Sequence, residues 1–164
     1  MASFQEHMIE YKRQLQKGSI QKAYQGLMAY IRDLRSYLKN KYPDHHVPSN
    51  IYYGYMDMTY FSFFPESLKD RNLKSGIVFQ HEDFRFEVWL FGVNKKIQTK
   101  YWQLIKNSGW DKYDLSPTPK SFDHIIQHIL IEYPDFSDLD ALTDRIESGT
   151  LDFIKDVEDF LAKQ

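Results

Sequence analysis

The chain is 164 residues long, enough for one domain that buries about 70% of its unfolded surface, and 16% of it is aromatic. It has no cysteine, which excludes disulfides, thiolate nucleophiles and cysteine-ligated zinc or iron–sulfur centres. The net charge of −2 argues against a nucleic-acid binder, which would usually be basic overall.

That charge is unevenly spread. Residues 1–42 carry eight Lys/Arg against three acids, and residues 121–164 carry three against eleven. Two such ends can attract each other, within a chain or between chains, so self-association through basic N-terminal and acidic C-terminal helices is one expectation.

SFQE, from Ser3, is a capping-box pattern that starts a helix. Phe4, Met8, Tyr11 and Leu15 recur at helical spacing, and Gly18 stops the run. A second helix begins at Ser19, with Ile20, Ala23, Tyr24, Leu27, Ile31, Leu34 and Leu38 in one stripe ending before Pro43. PDHHVPSN reads as a loop. Ile51 to Phe64 is rich in Tyr, Thr and Phe and reads as a strand apolar on both faces, hence inside a sheet. On it Asp57 would share a face with Tyr53, Tyr55, Thr59 and Phe61.

SGIVF is a second strand, HED a turn, and FRFEVWLF a third strand, which together make an antiparallel hairpin. Alternation puts Phe84, Phe86, Val88 and Leu90 on one face and Arg85, Glu87, Trp89 and Phe91 on the other. Asn94 caps a middle helix that buries Ile97, Tyr101, Leu104 and Ile105 and ends at Gly109. Trp110 to Ser121 reads as a crossing loop. HIIQHILIEY, residues 124–133, suits a helix by spacing and a strand by its isoleucines, and the strand is favoured. Ser137 caps a last helix, with Leu139, Leu142, Ile146, Phe153, Val157 and Phe160 inward and Gly149 as a kink.

The expected fold is α+β in a single domain, 1–164: two N-terminal helices, an antiparallel hairpin or meander with a further strand, a middle helix, and a long C-terminal helix packed on the sheet. No stretch is long and apolar enough to span a bilayer and no signal-type segment opens the chain, so a cytoplasmic location is expected.

The blocks YYGYMDMTYF, LKSGIVF, FRFEVWLFGVNKKIQTKYW and DLDALTDRIESGTLDFIKDVEDFL resemble those of a family of small uncharacterised bacterial proteins, a domain of unknown function. The likeness runs over nearly the whole chain. It implies a bacterial cytosolic protein and supplies neither an activity nor a catalytic residue.

Chemistry must then be sought in the residues. Asp57, alone among aromatics, is either a desolvated acid or a carboxylate held by tyrosine hydroxyls or Arg85, and the second reading is favoured. His124, His128 and Glu132, spaced four and four, share one face of a regular strand or helix and form a conceivable metal set. The zinc-protease pattern, however, needs Glu directly after the first His, where Ile125 stands. No Gly-x-Ser-x-Gly elbow or glycine-rich phosphate loop exists, and Trp89 occupies the place of the lysine in a nuclease-type Glu-x-Lys. Lys95, Lys96, Lys100, Tyr101, Trp102 and Lys106 give the 94–108 helix a basic, aromatic exterior.

The expectation is a small ligand-binding or interaction module with an aromatic–polar cleft at Tyr55, Asp57, Arg85, Glu87 and Trp89, taking a small-molecule ligand, with no metal or other cofactor. The alternatives are a small enzyme using Asp57 and Glu87 as acid and base, and a nucleic-acid accessory protein using the lysine-rich helix.

Overall fold

A computed structural model describes residues 1–164. The backbone divides into two compact units, Met1–Tyr37 and Leu38–Gln164.

The first unit is helical. Helix α1, Phe4–Lys17, begins at the expected capping box, in which Ser3 accepts from the Glu6 amide and the Glu6 carboxylate accepts from the Ser3 amide. It ends at Gly18, whose φ of +80° is left-handed. None of its residues is buried, and Phe4, Met8, Ile9 and Tyr11 are exposed, Phe4 at 80%. Helix α2, Ser19–Lys41, starts directly afterwards. Of its stripe, Ile31 and Leu34 are buried, joined by Met28 and Tyr30, while Ile20 is exposed.

The second unit contains the end of α2 and an α+β body. Its strands are β1 (Met58–Ser62), β2 (Leu73–Gln80), β3 (Arg85–Gly92), β4 (Asp114–Leu115) and β5 (Ile126–Glu132). They form one antiparallel sheet in the order β1-β2-β3-β5-β4. Its helices are α3 (Glu66–Lys69), α4 (Lys95–Ser108) and α5 (Leu139–Ala162). Helix α4 is capped by the Asn94 side chain and stopped by Gly109, as expected.

Pairing register divides the side chains between two faces. One face carries Phe61, Ile77, Phe79, Phe86, Val88, Ile126 and Ile131, all buried. Helix α5, which packs on β3 and β5, buries Leu142, Ile146, Phe153 and Val157. Removing this apolar layer from water stabilises the second unit by about 25 cal/mol per Å² buried. The other face carries Met58, Tyr60, Gln80, Arg85, Glu87, Trp89, Gln127 and Glu132.

Several expectations need correction. The first strand is only Met58–Ser62, and it lies at the sheet's edge, not inside it. Upstream, Gly54 and Met56 take φ values of +72° and +64°, which break an extended run. Only glycine fits at position 54, because a Cβ there would lie 2.2 Å from the Met58 carbonyl oxygen. Phe84 leaves the predicted buried face: with φ +52° it belongs to the β2–β3 turn and is 45% exposed. Helix α5 is capped by Asp138, while Ser137 donates to the Asp135 carboxylate. Leu139, in the helix's first turn, is exposed. Gly149 does not interrupt α5. It makes room for Leu130, whose Cδ2 would lie 2.7 Å from an added Cβ. Residues 126–132 form the favoured strand.

Candidate functional site

Strand β3 supplies the floor of the site. Between Arg85 and Phe91, alternation sends every second side chain to the face away from α5. Glu87 is 1% exposed there, and both its oxygens are engaged. Oε2 accepts from Arg85 Nε at 2.7 Å and Oε1 accepts from Trp89 Nε1 at 2.9 Å. Two side chains of its own strand, at i−2 and i+2, thus satisfy the carboxylate. A buried carboxylate needs such partners.

Arg85 is also ringed by Asp83 at 3.7 Å and Glu132 at 3.9 Å. Burial works against its charge, but the hydrogen bond to Glu87 and the surrounding carboxylates outweigh it and hold its pKa above the ordinary arginine value.

The loop before β5 closes over Trp89. His124 lies with its ring centroid 4.8 Å from that of Trp89, and Phe122 stands edge-on at 5.8 Å from His124. His124 is buried, and burial depresses its pKa while the charges of Glu87 and Asp123 pull the other way. The imidazole is therefore neutral near pH 7. Tyr60, from β1, is raised by burial and by the charge of Asp123, so it remains a protonated phenol.

Together these residues line a cleft of about 510 Å³, with Asp57, Met58, Gln80, Asp83, Asp114, Asp123 and Gln127 around Arg85, Glu87, Trp89, Phe122 and His124. A second recess of about 400 Å³, lined by Tyr52, Tyr60, Asn94, Lys95 and Gln98, shares Met58 and Asp123 with it. The volume is of the size that small ligands occupy.

Four of the five predicted site residues, Asp57, Arg85, Glu87 and Trp89, line this cleft. Tyr55 does not; it is 93% exposed in the loop before β1. Asp57 reaches the rim from that loop and not from a strand face. Its Oδ1 accepts from the Tyr55 amide at 2.8 Å. That bond and one from the Met58 amide hold its carboxyl below the usual range. Neither a tyrosine hydroxyl nor Arg85 is its partner. The nearby Thr59 hydroxyl donates to the Tyr53 carbonyl and meets His81 Nε2, tying the same loop to the sheet.

The conceivable metal set of His124, His128 and Glu132 does not assemble on one face. Strand β5 has one extra residue, Leu130, because Phe86 faces Ile131 while Glu87 faces Ile129. This bulge reverses the alternation. Glu132 consequently shares a face with Gln127, opposite Arg85, while His128 points with Val88 and lies 5.0 Å, ring to ring, from Tyr113. No group of three or more His, Cys, Asp or Glu side chains is placed to hold a metal ion.

The lysine helix has its rings engaged. Tyr101 is buried, as the helical spacing predicts, and does not belong to the basic exterior. Trp102 donates to the Ser116 carbonyl, and Lys106 lies over its ring. Lys95 donates to the Phe122 carbonyl, as does Gln98, which anchors the loop that carries His124.

Sequence reasoning missed Phe122, Asp123, Asp114 and Gln127. The available signal was the SFDH run next to a histidine already singled out, but the loop's position over Trp89 depends on pairing that sequence does not display.

No helix is long and apolar enough to cross a membrane. No curated protein and no solved structure matches the chain. A family model does match, over residues 4–161, and the chain belongs to that family, a domain of unknown function designated DUF7000.

Proposed function

We infer that the protein is a small cytoplasmic ligand-binding module whose site is the cleft over β3. One observation carries this reading: a fully buried carboxylate, Glu87, sits at the floor of an open cleft with both oxygens held by Arg85 and Trp89. Such a network fixes the shape of the floor and presents oriented polar groups beside aromatic surface, the composition of small-molecule sites. The absence of cysteine and of any membrane-crossing helix fits a cytoplasmic setting.

Acid–base use of Asp57 and Glu87 has less support. Glu87 is 1% exposed and each of its oxygens already accepts a hydrogen bond from its own strand, and Asp57 is an exposed, ionised loop carboxylate. The nucleic-acid reading loses its stacking rings, which are engaged within the fold.

The test is a fragment screen followed by nitrogen–proton correlation spectra of the full chain. Fragments should shift the Trp89 indole signal and the amides of 122–124. A broad screen of neutral, anionic and cationic fragments that moves none of these signals would overturn the reading.

A further inference from the structure

The cleft is one-sided in charge. Its lining holds five carboxylates, Asp57, Asp83, Glu87, Asp114 and Asp123, against one guanidinium, Arg85. Arg85 offers an incoming anion little, because Glu87, Asp83 and Glu132 already surround it at 2.7, 3.7 and 3.9 Å. Asp114 and Asp123 are exposed and have no ion-pair partner.

Acidic residues at a rim are ordinarily just solvated, so they do not make a site by themselves. The independent observation is His124. It is only 8% exposed, it lines the cleft, and neither ring nitrogen has a hydrogen-bond partner. Neither nitrogen is sealed from solvent, so what the ring offers a ligand is offered at the cleft. A neutral imidazole has one accepting and one donating nitrogen. Trp89 and Phe122 fix the ring's position.

We propose that the cleft takes a small organic cation bearing N–H donors, an ammonium or guanidinium group on a short apolar body. Asp123 and Asp114 supply the countercharge, the accepting nitrogen of His124 receives one N–H, and Phe122 and Met58 take the apolar part. The proposal rests on the cleft being a ligand site and names the class of ligand.

The test compares probes of one shape and different charge: phenethylammonium and phenylguanidinium, phenethyl alcohol, and hydrocinnamate. Binding to the full chain is followed at the Trp89 indole and the amides of 122–124. The cations should bind about 10-fold or more tightly than the alcohol, as expected for about 1.4 kcal/mol of charge interaction, and hydrocinnamate more weakly than either. Raising salt from about 50 to about 500 mM should weaken the cations alone. Asp114→Asn with Asp123→Asn should remove most of the charge preference, and His124→Phe should weaken cations more than the alcohol.

Equal or tighter binding of hydrocinnamate, or cation binding indifferent to the paired aspartate variant, overturns the proposal while leaving a ligand cleft standing. If no probe of any charge moves these signals but other fragments do, the proposal again fails alone. If nothing at all binds there, the cleft reading fails with it. Both aspartates are exposed, so their variants should keep the wild-type spectrum elsewhere, and His124→Phe is needed only as a second line.

Discussion

The two faces of the five-stranded sheet are made by the same strands and do opposite work. The face under α5 is apolar and closed, with Val88 fully buried. The other face is also buried in places, yet what it buries includes a carboxylate and the indole N–H that meets it. One stability comes from area removed from water, the other from partners found for polar groups. Strand β3 serves both, and the parity of its sequence decides which side each residue joins.

The difference is sharpest under charge substitution. Val88→Asp puts an unpaired carboxylate against α5 and should unfold the second unit, since such a change costs several kcal/mol. A soluble Val88→Asp protein with an unchanged melting temperature would break the assignment of that face. On the opposite side Glu87→Gln keeps the shape but weakens the bonds to Arg85 and Trp89. A loss of about 1–3 kcal/mol is expected from urea midpoints, the range for bonds to a charged group. A gain in stability instead would mark Glu87 as a group kept at a loss for chemistry.

A smaller effect concerns pH. His124, His45 and His81 all have pKa values depressed by burial. The unfolded chain therefore binds protons first, and stability should fall as pH drops below about 6.5. His124→Gln should flatten that slope, measured as urea midpoints between about pH 7.5 and about pH 5. An unchanged slope would mean that Glu87 and Asp123 fully offset the burial.

The smallest effect belongs to Asp57. Its depressed pKa places its contribution above the unfolded value, to be lost as pH falls through the folded one. Asp57→Asn should lower the midpoint slightly at neutral pH, with the gap closing below about pH 4. A larger loss than that of Glu87→Gln would show the rim loop, not the floor, to be the anchor of the polar face.

Legibility in the sequence followed the clarity of alternation. FRFE alternates apolar with charged residues, and counting on from it by twos puts Arg85, Glu87 and Trp89 on the face where the structure has them. Ile129, Leu130 and Ile131 are apolar in succession, so nothing marked the extra residue that turns Glu132 toward Arg85. The segment before β1 misled for a different reason: tyrosines that favour strands surround Gly54 and Met56, whose left-handed backbone folds the chain back on itself. Spacing also predicted helix α1 but not that Phe4, Met8 and Tyr11 would be exposed, because periodicity records a face and not what covers it.

The manner in which the sheet ends has a consequence for solubility under crowding. Strand β4 is only two residues long. On the far edge, the outer hydrogen bonds of Tyr60 are taken by Tyr52 in both directions, and Phe64 is bonded likewise to His46. An open edge is a template on which another chain can add a strand. Here the β1 edge is bridged by its own chain at Tyr60, but β4 covers only Ile126 and Gln127 of β5 and leaves 128–132 without a strand on their outer side. On the folded protein, strand addition should therefore be directed to the 128–132 stretch of β5, where no strand covers the backbone.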